Sequence, residues 1–179
     1  MSILKIILII IGLLIVVLLL VAAFVKKSYT VEREIIINKP KQEVFDYIKF
    51  LKNQDNFSKW ATMDPNMKKD YQGVDGMVGF VSSWDSENKN VGKGEQTIKK
   101  ISEGERIDFD LHFIKPFDGL ANAYMSTVSV SENKTKVKWF FSSEMKYPMN
   151  IFLLFMNMEE MIGKDLEIGL NNLKNILEK

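Results

Sequence analysis

Ile6 to Val25 is an unbroken run of twenty residues with no charge and no strongly polar group, and Gly12 is its weakest member. About 20 apolar residues at helical rise cross a hydrocarbon core of about 30 Å. Leu, Ile, Val and Phe each favour insertion. The run predicts a membrane-spanning helix, and whatever else the chain folds into must begin at the end of it. A secretory leader is the competing reading. Its apolar region is shorter, about 7–15 residues, and ends in a small-x-small cleavage site. Val21-Ala22-Ala23-Phe24-Val25 is a poor site of that kind. The expectation is an uncleaved anchor over residues 1–27, in membrane contact through residues 6–25, ahead of one domain over residues 28–179.

Basic residues near the span set its orientation. Lys5 precedes it, and Lys26, Lys27, Arg33, Lys39 and Lys41 follow it. An excess of Lys and Arg marks the cytoplasmic side. The expectation is a single-pass cell-membrane protein with a cytoplasmic carboxyl-terminal domain.

Of the 24 basic and 23 acidic side chains only Lys5 lies before residue 26, so the remainder is near neutral. No long block of one sign occurs. A nucleic-acid partner needs a basic face, so none is expected. The chain has no cysteine, which excludes disulfides, thiolate catalysis and cysteine-ligated metal. The remaining length, about 150 residues, is that of one domain with one core.

Periodicity then gives the order of elements. Ser28 to Ile37 reads as a strand with Val31, Arg33, Ile35 and Ile37 on one face. Arg33 is the odd member there and requires a partner. Pro40 opens a helix with the apolar stripe Val44, Phe45, Tyr47, Ile48 and Leu51, and Lys52 to Asn56 ends it. Phe57 to Trp60 suggests a helical turn, and Met63 to Asp75 reads as loop. Strands are predicted over Met77–Trp84, Val91–Ile101, Arg106–Phe113, a segment carrying Tyr124, Ser126, Val128 and Val130 on one face, and Thr135–Ser143. Leu154, Phe155, Met158, Ile162, Leu166, Gly169, Leu173 and Ile176 recur at spacings of three and four. They predict a single helix from Pro148 to Leu177, about 45 Å long. Antiparallel strands with helices at both ends make an α+β fold: a curved sheet wrapped on a long carboxyl-terminal helix.

This pattern resembles the SRPBCC superfamily, which includes START-like lipid carriers and polyketide cyclase/dehydrase-like proteins and whose fold is called helix-grip. The residues that carry the resemblance are Arg33, Ile35, Ile37, Pro40, Val44, Phe45, Ile48 and Trp60. Further along they are Gly94-Glu95-Gln96, Glu103-Gly104-Glu105, Trp139, and Gly163-Lys164-Asp165-Leu166 with Gly169 to Lys174. It spans nearly all of residues 28–179. It implies an internal cavity for a hydrophobic ligand and specifies no shared catalytic motif. The anchor departs from the soluble carriers of that group.

Few residues carry chemistry. Asp108, Asp110 and the single histidine, His112, share a strand face. Same-face neighbours on a strand lie about 6.6 Å apart, too far to converge on one ion. They alternate with Ile107, Phe109, Leu111 and Phe113, so they read as a solvated face. Glu95 with Glu105, and Glu159 with Glu160, read as surface charge. Gly92 and Gly94 read as a bend or bulge within a strand. No metal or cofactor is expected.

The aromatic and methionine content says more. Trp60, Phe80, Trp84, Phe109, Phe113, Tyr124, Trp139 and Phe141 fall on inferred inward faces, as core or as cavity wall. Gln96, Ser126 and Ser82 share those faces as polar members. Met145, Met149, Met156, Met158 and Met161 are five of ten methionines, within seventeen residues. Methionine suits surfaces that accept varied apolar shapes. Ile151 to Met156 is apolar all round a helix, which a helix with one buried face is not. Such a turn is buried on every side or meets lipid, a ligand entrance or a partner. The candidate cavity lining is Trp60, Phe80, Trp84, Gln96, Phe109, Leu111, Phe113, Tyr124, Ser126, Trp139, Phe155, Met158 and Ile162. The function this favours is a membrane-anchored binding module for a hydrophobic, lipid-like small molecule. The alternatives are a cyclase- or hydrolase-like enzyme using Gln96, Tyr124 and Arg33, and a structural or regulatory membrane protein with a filled core.

Overall fold

A computed structural model of the chain describes residues 2–179. Helix α1 spans Ile3–Phe24, is apolar on all sides after Lys5, and is long enough to cross a membrane. Of its side chains only Ala22 is buried. Strand β1, Ser28–Ile37, follows at once, then α2, Lys41–Lys49. A tight turn over Leu51–Asn53 leads into two single-turn helices, α3, Gln54–Phe57, and α4, Lys59–Thr62. Six strands come next: β2 Lys68–Gln72, β3 Val81–Asp85, β4 Lys93–Ser102, β5 Arg106–Lys115, β6 Gly119–Ser131 and β7 Lys134–Glu144. A 3-10 segment, Met149–Leu154, precedes the closing helix α5, Met158–Leu177.

All seven strands form one antiparallel sheet in the order β1-β7-β6-β5-β4-β3-β2. Register shifts at Lys93/Gly94 and Ile98/Lys100 interrupt the β4–β5 ladder. Such bulges increase local twist and bend a sheet. The sheet's inner face carries Val31, Ile98, Ile107, Phe109, Met125, Val137 and Trp139, all buried. Leu166, Leu170 and Leu173 of α5 and Val44, Phe45 and Ile48 of α2 close over them. The apolar stripe of α2 is the one its sequence predicts, and Glu43 and Lys49 suit its amino and carboxyl ends.

Arg33 has the partners its position demands. Its Nε donates to Glu167 Oε1 at 2.6 Å, and its other nitrogens donate to the carbonyls of Glu32 (2.9 Å) and Glu159 (3.2 Å). Gly163 makes room for it, since a Cβ there would collide with the guanidinium.

Three sequence expectations are corrected. The predicted helix from Pro148 to Leu177 is two pieces, and α5 has 20 residues, about 30 Å. The break falls at Asn157, whose side chain accepts from the Glu160 N–H at 3.1 Å and starts α5 afresh. Residues Lys68–Gln72, read as loop, form the edge strand β2. Strand β6 faces the other way: Ala121, Ala123, Met125 and Thr127 are buried, while Val128 and Val130 are about half exposed.

Candidate ligand cavity

The sheet's inner face is filled at one end and hollow at the other. Where α2 covers it, Phe109, Ile98, Ile107 and Met125 are fully buried. Toward the start of α5 the inward positions become small: Gly94, Gly119, Ala123, Ser82 and Ser143. Side chains of that size leave volume unfilled. The result is a cavity of 1210 Å³, bounded by the sheet, α3, α4, α5 and the 3-10 segment. Ligand sites span roughly 300–1,000 Å³, so this one accepts a large guest.

Two aromatic sets build the walls. Trp84 meets Phe113 edge-on at 6.1 Å between ring centres, Phe113 meets Phe141 at 6.3 Å, and Phe141 meets Tyr29 at 6.3 Å. All four line the cavity. Trp84 lies over Gly94, its partner across the β3–β4 ladder, where a Cβ would collide with the indole. The second set is Trp60 and Trp139, perpendicular at 6.4 Å, with Phe57 behind Trp139 at 5.6 Å. Ile162 and Leu166 of α5 complete that side. Burial raises the pKa of the Tyr29 hydroxyl, and its hydrogen bond with Ser143 offsets this only in part.

Of the predicted lining residues, Trp60, Trp84, Gln96, Leu111, Phe113, Trp139 and Ile162 stand in the wall of one cavity. The others do not. Phe80 is fully buried and stacks on Tyr71 at 6.1 Å, outside the cavity. Phe109 is fully buried in the filled end. Tyr124 and Ser126 lie on the sheet's outer face, because β6 buries its smaller set of residues. Tyr124 is held there by its hydroxyl, which donates to Glu32 Oε2 at 2.6 Å, by stacking on Phe140 at 4.7 Å, and by Arg106 over its ring at 3.7 Å. Phe155 precedes the Asn157 break and is 78% exposed. Met158 is half-buried at the first turn of α5, outside the lining.

The enzyme alternative drew on Gln96, Tyr124 and Arg33, of which Gln96 alone faces the cavity. His112 also lies outside it, with Nε2 2.8 Å from Asp118 Oδ1 and Nδ1 3.8 Å from Glu95. Its proximity holds the Asp118 carboxyl below the usual carboxylate range.

Several wall residues lie outside the candidate lining, Tyr29 and Leu166 among them, and the most telling is Gln54. Gln54 on α3 lines the cavity, is 7% exposed, and its Nε2 has no hydrogen-bond partner in the protein. A buried amide nitrogen of this kind is a donor in want of an acceptor. The sequence held a signal for it: Leu51, Gln54 and Phe57 recur at spacings of three, which sets a polar residue on an apolar stripe. Beside it Asp55 accepts from the Tyr71 hydroxyl and pairs with Lys69 at 2.9 Å. Burial, then the Asp55 carboxylate, push the Tyr71 pKa well above its ordinary value.

No family model matches the sequence, and no curated protein matches it either. Solved structures do match. Norcoclaurine synthase from Thalictrum flavum aligns over 86% of this chain and 95% of its own, with a TM-score of 0.64 and 8% identity. Ara h 8.0201 aligns over 84% of this chain and 97% of its own, with a TM-score of 0.56 and 12% identity. The chain has the helix-grip fold. A structural-genomics protein from Nitrosospira multiformis shares it, with a TM-score of 0.57 over 83% of this chain and 96% of that one, at 19% identity. In helix-grip terms α5 is the gripped helix and the curved sheet the grip, as the sequence resemblance implied. At these identities the likeness is one of fold.

Proposed function

We propose that this chain is a membrane-anchored binding module that holds a hydrophobic, lipid-like small molecule in the cavity beneath α5. Residues 1–27 are the anchor and residues 28–179 the binding domain, cytoplasmic by the excess of basic residues after the span. The observation that carries the reading is the cavity itself. It is 1210 Å³ in volume, with Trp84, Phe113, Phe141, Trp60 and Trp139 in its walls and polar residues such as Gln54, Ser82 and Gln96 among them. A guest that buries about 300 Å² of apolar surface gains about 7 kcal/mol at ~25 cal/mol per Å², before the entropy of binding is subtracted. Gln54 Nε2 and Gln96 provide hydrogen bonds to an acceptor oxygen on the guest, such as an ester, amide or carboxyl group. The fold neighbour norcoclaurine synthase has been solved in complex with dopamine and hydroxybenzaldehyde, which supports small-molecule binding as a use of this fold.

The test is to purify the full chain from membranes in mild detergent, then record native mass spectra and extract with organic solvent. A bound amphiphile at near-stoichiometric amount is expected, displaceable by a fluorescent fatty acid. Recovery of no small molecule, together with no probe binding, overturns the reading.

A further inference from the structure

The end of α1 is capped by a residue far away in sequence. The Asn150 side-chain amide donates to the carbonyl oxygens of Ala22 (2.7 Å) and Val25 (2.9 Å). Asn150 and Ala22 are both fully buried. The Met145 N–H donates to the Lys27 carbonyl at 2.8 Å. The last four carbonyls of a helix have no partner within it, and near hydrocarbon an unpaired one is costly. Val25 is in extended conformation and turns the chain away, so it provides no cap of its own. The 3-10 segment Met149–Leu154 provides it, and is thereby fixed against the end of α1.

That same segment forms one side of the cavity mouth. Met149, Phe152 and Met156 line the cavity, as do Phe117 of the β5–β6 loop and Leu120 at the start of β6 opposite. These side chains are also open to the outside: Phe117 is 75% exposed, Leu120 67% and Phe152 45%. Phe155, next to them, is 78% exposed. An exposed apolar rim of this kind marks an interaction surface. Lys26, Lys27, Lys115 and Lys146 stand around it, as do the acidic Asp118 and Glu144. Lysines beside exposed aromatic and aliphatic groups suit the boundary between headgroups and acyl chains. The occupant this favours is the bilayer itself, because the rim is fixed to the end of the helix that enters it.

We propose that Asn150 is a latch that holds the cavity mouth against the bilayer that α1 spans, so that a bilayer-resident amphiphile passes between membrane and cavity without crossing water. This rests on the reading of α1 as an uncleaved span. The rim is seated at the acyl–headgroup boundary, and the β6–β7 hairpin at Glu132, at the other end of the strands, points away from it.

The chain has no cysteine, so single labels are direct. Phe155→Cys, Leu120→Cys and Glu132→Cys, each in the full chain, are labelled with an environment-sensitive fluorophore. They are reconstituted in vesicles of phosphatidylcholine and phosphatidylglycerol carrying a nitroxide near the headgroup. Labels at 155 and 120 are expected to be quenched and the label at 132 not. Asn150→Ala is expected to abolish the quenching at 155 while the protein stays resistant to alkaline carbonate extraction. Equal, weak quenching at all three positions in carbonate-resistant protein overturns the latch and leaves the span intact. Carbonate extraction of the parent protein overturns the span, and the latch with it. Cross-linking of Phe155→Cys to a second copy in place of quenching also overturns it. Should Asn150→Ala fail to fold, the depth pattern of the three labels decides alone.

Discussion

The guanidinium of Arg33 occupies the space that a side chain at residue 163 would need, and Gly163 is what lets α5 lie on β1 there. Arg33 comes from the apolar side of a strand, yet every one of its bonds is to β1 or α5: the Glu32 and Glu159 carbonyls and the Glu167 carboxylate. Gly163→Ala is therefore expected to cost about 1–3 kcal/mol, as overpacking of a close interface does. Urea unfolding of the full chain in micelles measures it. In an Arg33→Ala background the same methyl has room, so most of that cost should vanish. An unchanged cost would show that the methyl meets something other than Arg33.

Ser82 faces the cavity from β3, opposite Gln96 on β4. A phenyl ring in its place fills volume that a guest would use. Ser82→Phe should weaken binding of an apolar fluorescent probe by about tenfold, or about 1.4 kcal/mol. The urea midpoint should stay the same or rise. A parallel loss of binding and stability would instead mean that the wall had collapsed.

Gln54→Leu should separate stability from binding. It removes a buried donor that has no partner in the protein, and such a group costs about 1–3 kcal/mol when unsatisfied. The ligand-free variant is expected to be at least as stable as the parent by thermal unfolding. Its affinity for a probe bearing a carbonyl or carboxyl group should fall, while that for a plain hydrocarbon probe should not.

On the outer face Glu32 accepts from the Tyr124 hydroxyl at 2.6 Å and from Lys138 at 2.9 Å. The Tyr124 bond, then the Lys138 bond, hold its carboxyl below the ordinary range. A depressed carboxylate stabilises the fold above its unfolded pKa, near 4, and that contribution is lost as pH falls through the folded value. The parent should exceed Glu32→Gln in stability at neutral pH by less than about 1 kcal/mol, given solvent screening. The gap should close from about pH 4 downward and shrink with added salt. A gap that widens in acid would contradict the assignment.

How far residues alone carry this fold differs from strand to strand. β5 was plain, because Ile107, Phe109, Leu111 and Phe113 alternate with charged or titratable groups. β6 was not, because both of its alternating sets are partly apolar. The bulkier set, with Tyr124, Val128 and Val130, looked like the inside. A cavity reverses that logic: the inward face is the one with small side chains, Ala121 and Ala123. β2 is not legible, being an edge strand of Lys68, Lys69, Asp70, Tyr71 and Gln72, whose polarity is that of a loop. Helical spacing runs through residues 154–158 without a gap, so the break before α5 depended on two asparagines. Asn157 starts α5, and Asn150 turns to α1 instead. The cavity residues on β3, β4, β5, β7 and α5 were legible for the reason β5 was. Gln54 is harder to read, because it lies in the polar segment Lys52 to Asn56 that ends a helix pattern.

The strand order has a consequence in time. β1 pairs only with β7, Val31 opposite Phe141, so the first strand made waits for the last. At 5–20 residues per second of synthesis, β1 stays single for roughly 5–20 s. During that interval α1 has already left the ribosome, and the exposed edge of β1 begins only a few residues behind it. The chain's most vulnerable moment therefore falls before β7 and α5 exist to cover that edge, and its refolding should be as slow as its distant pairings require.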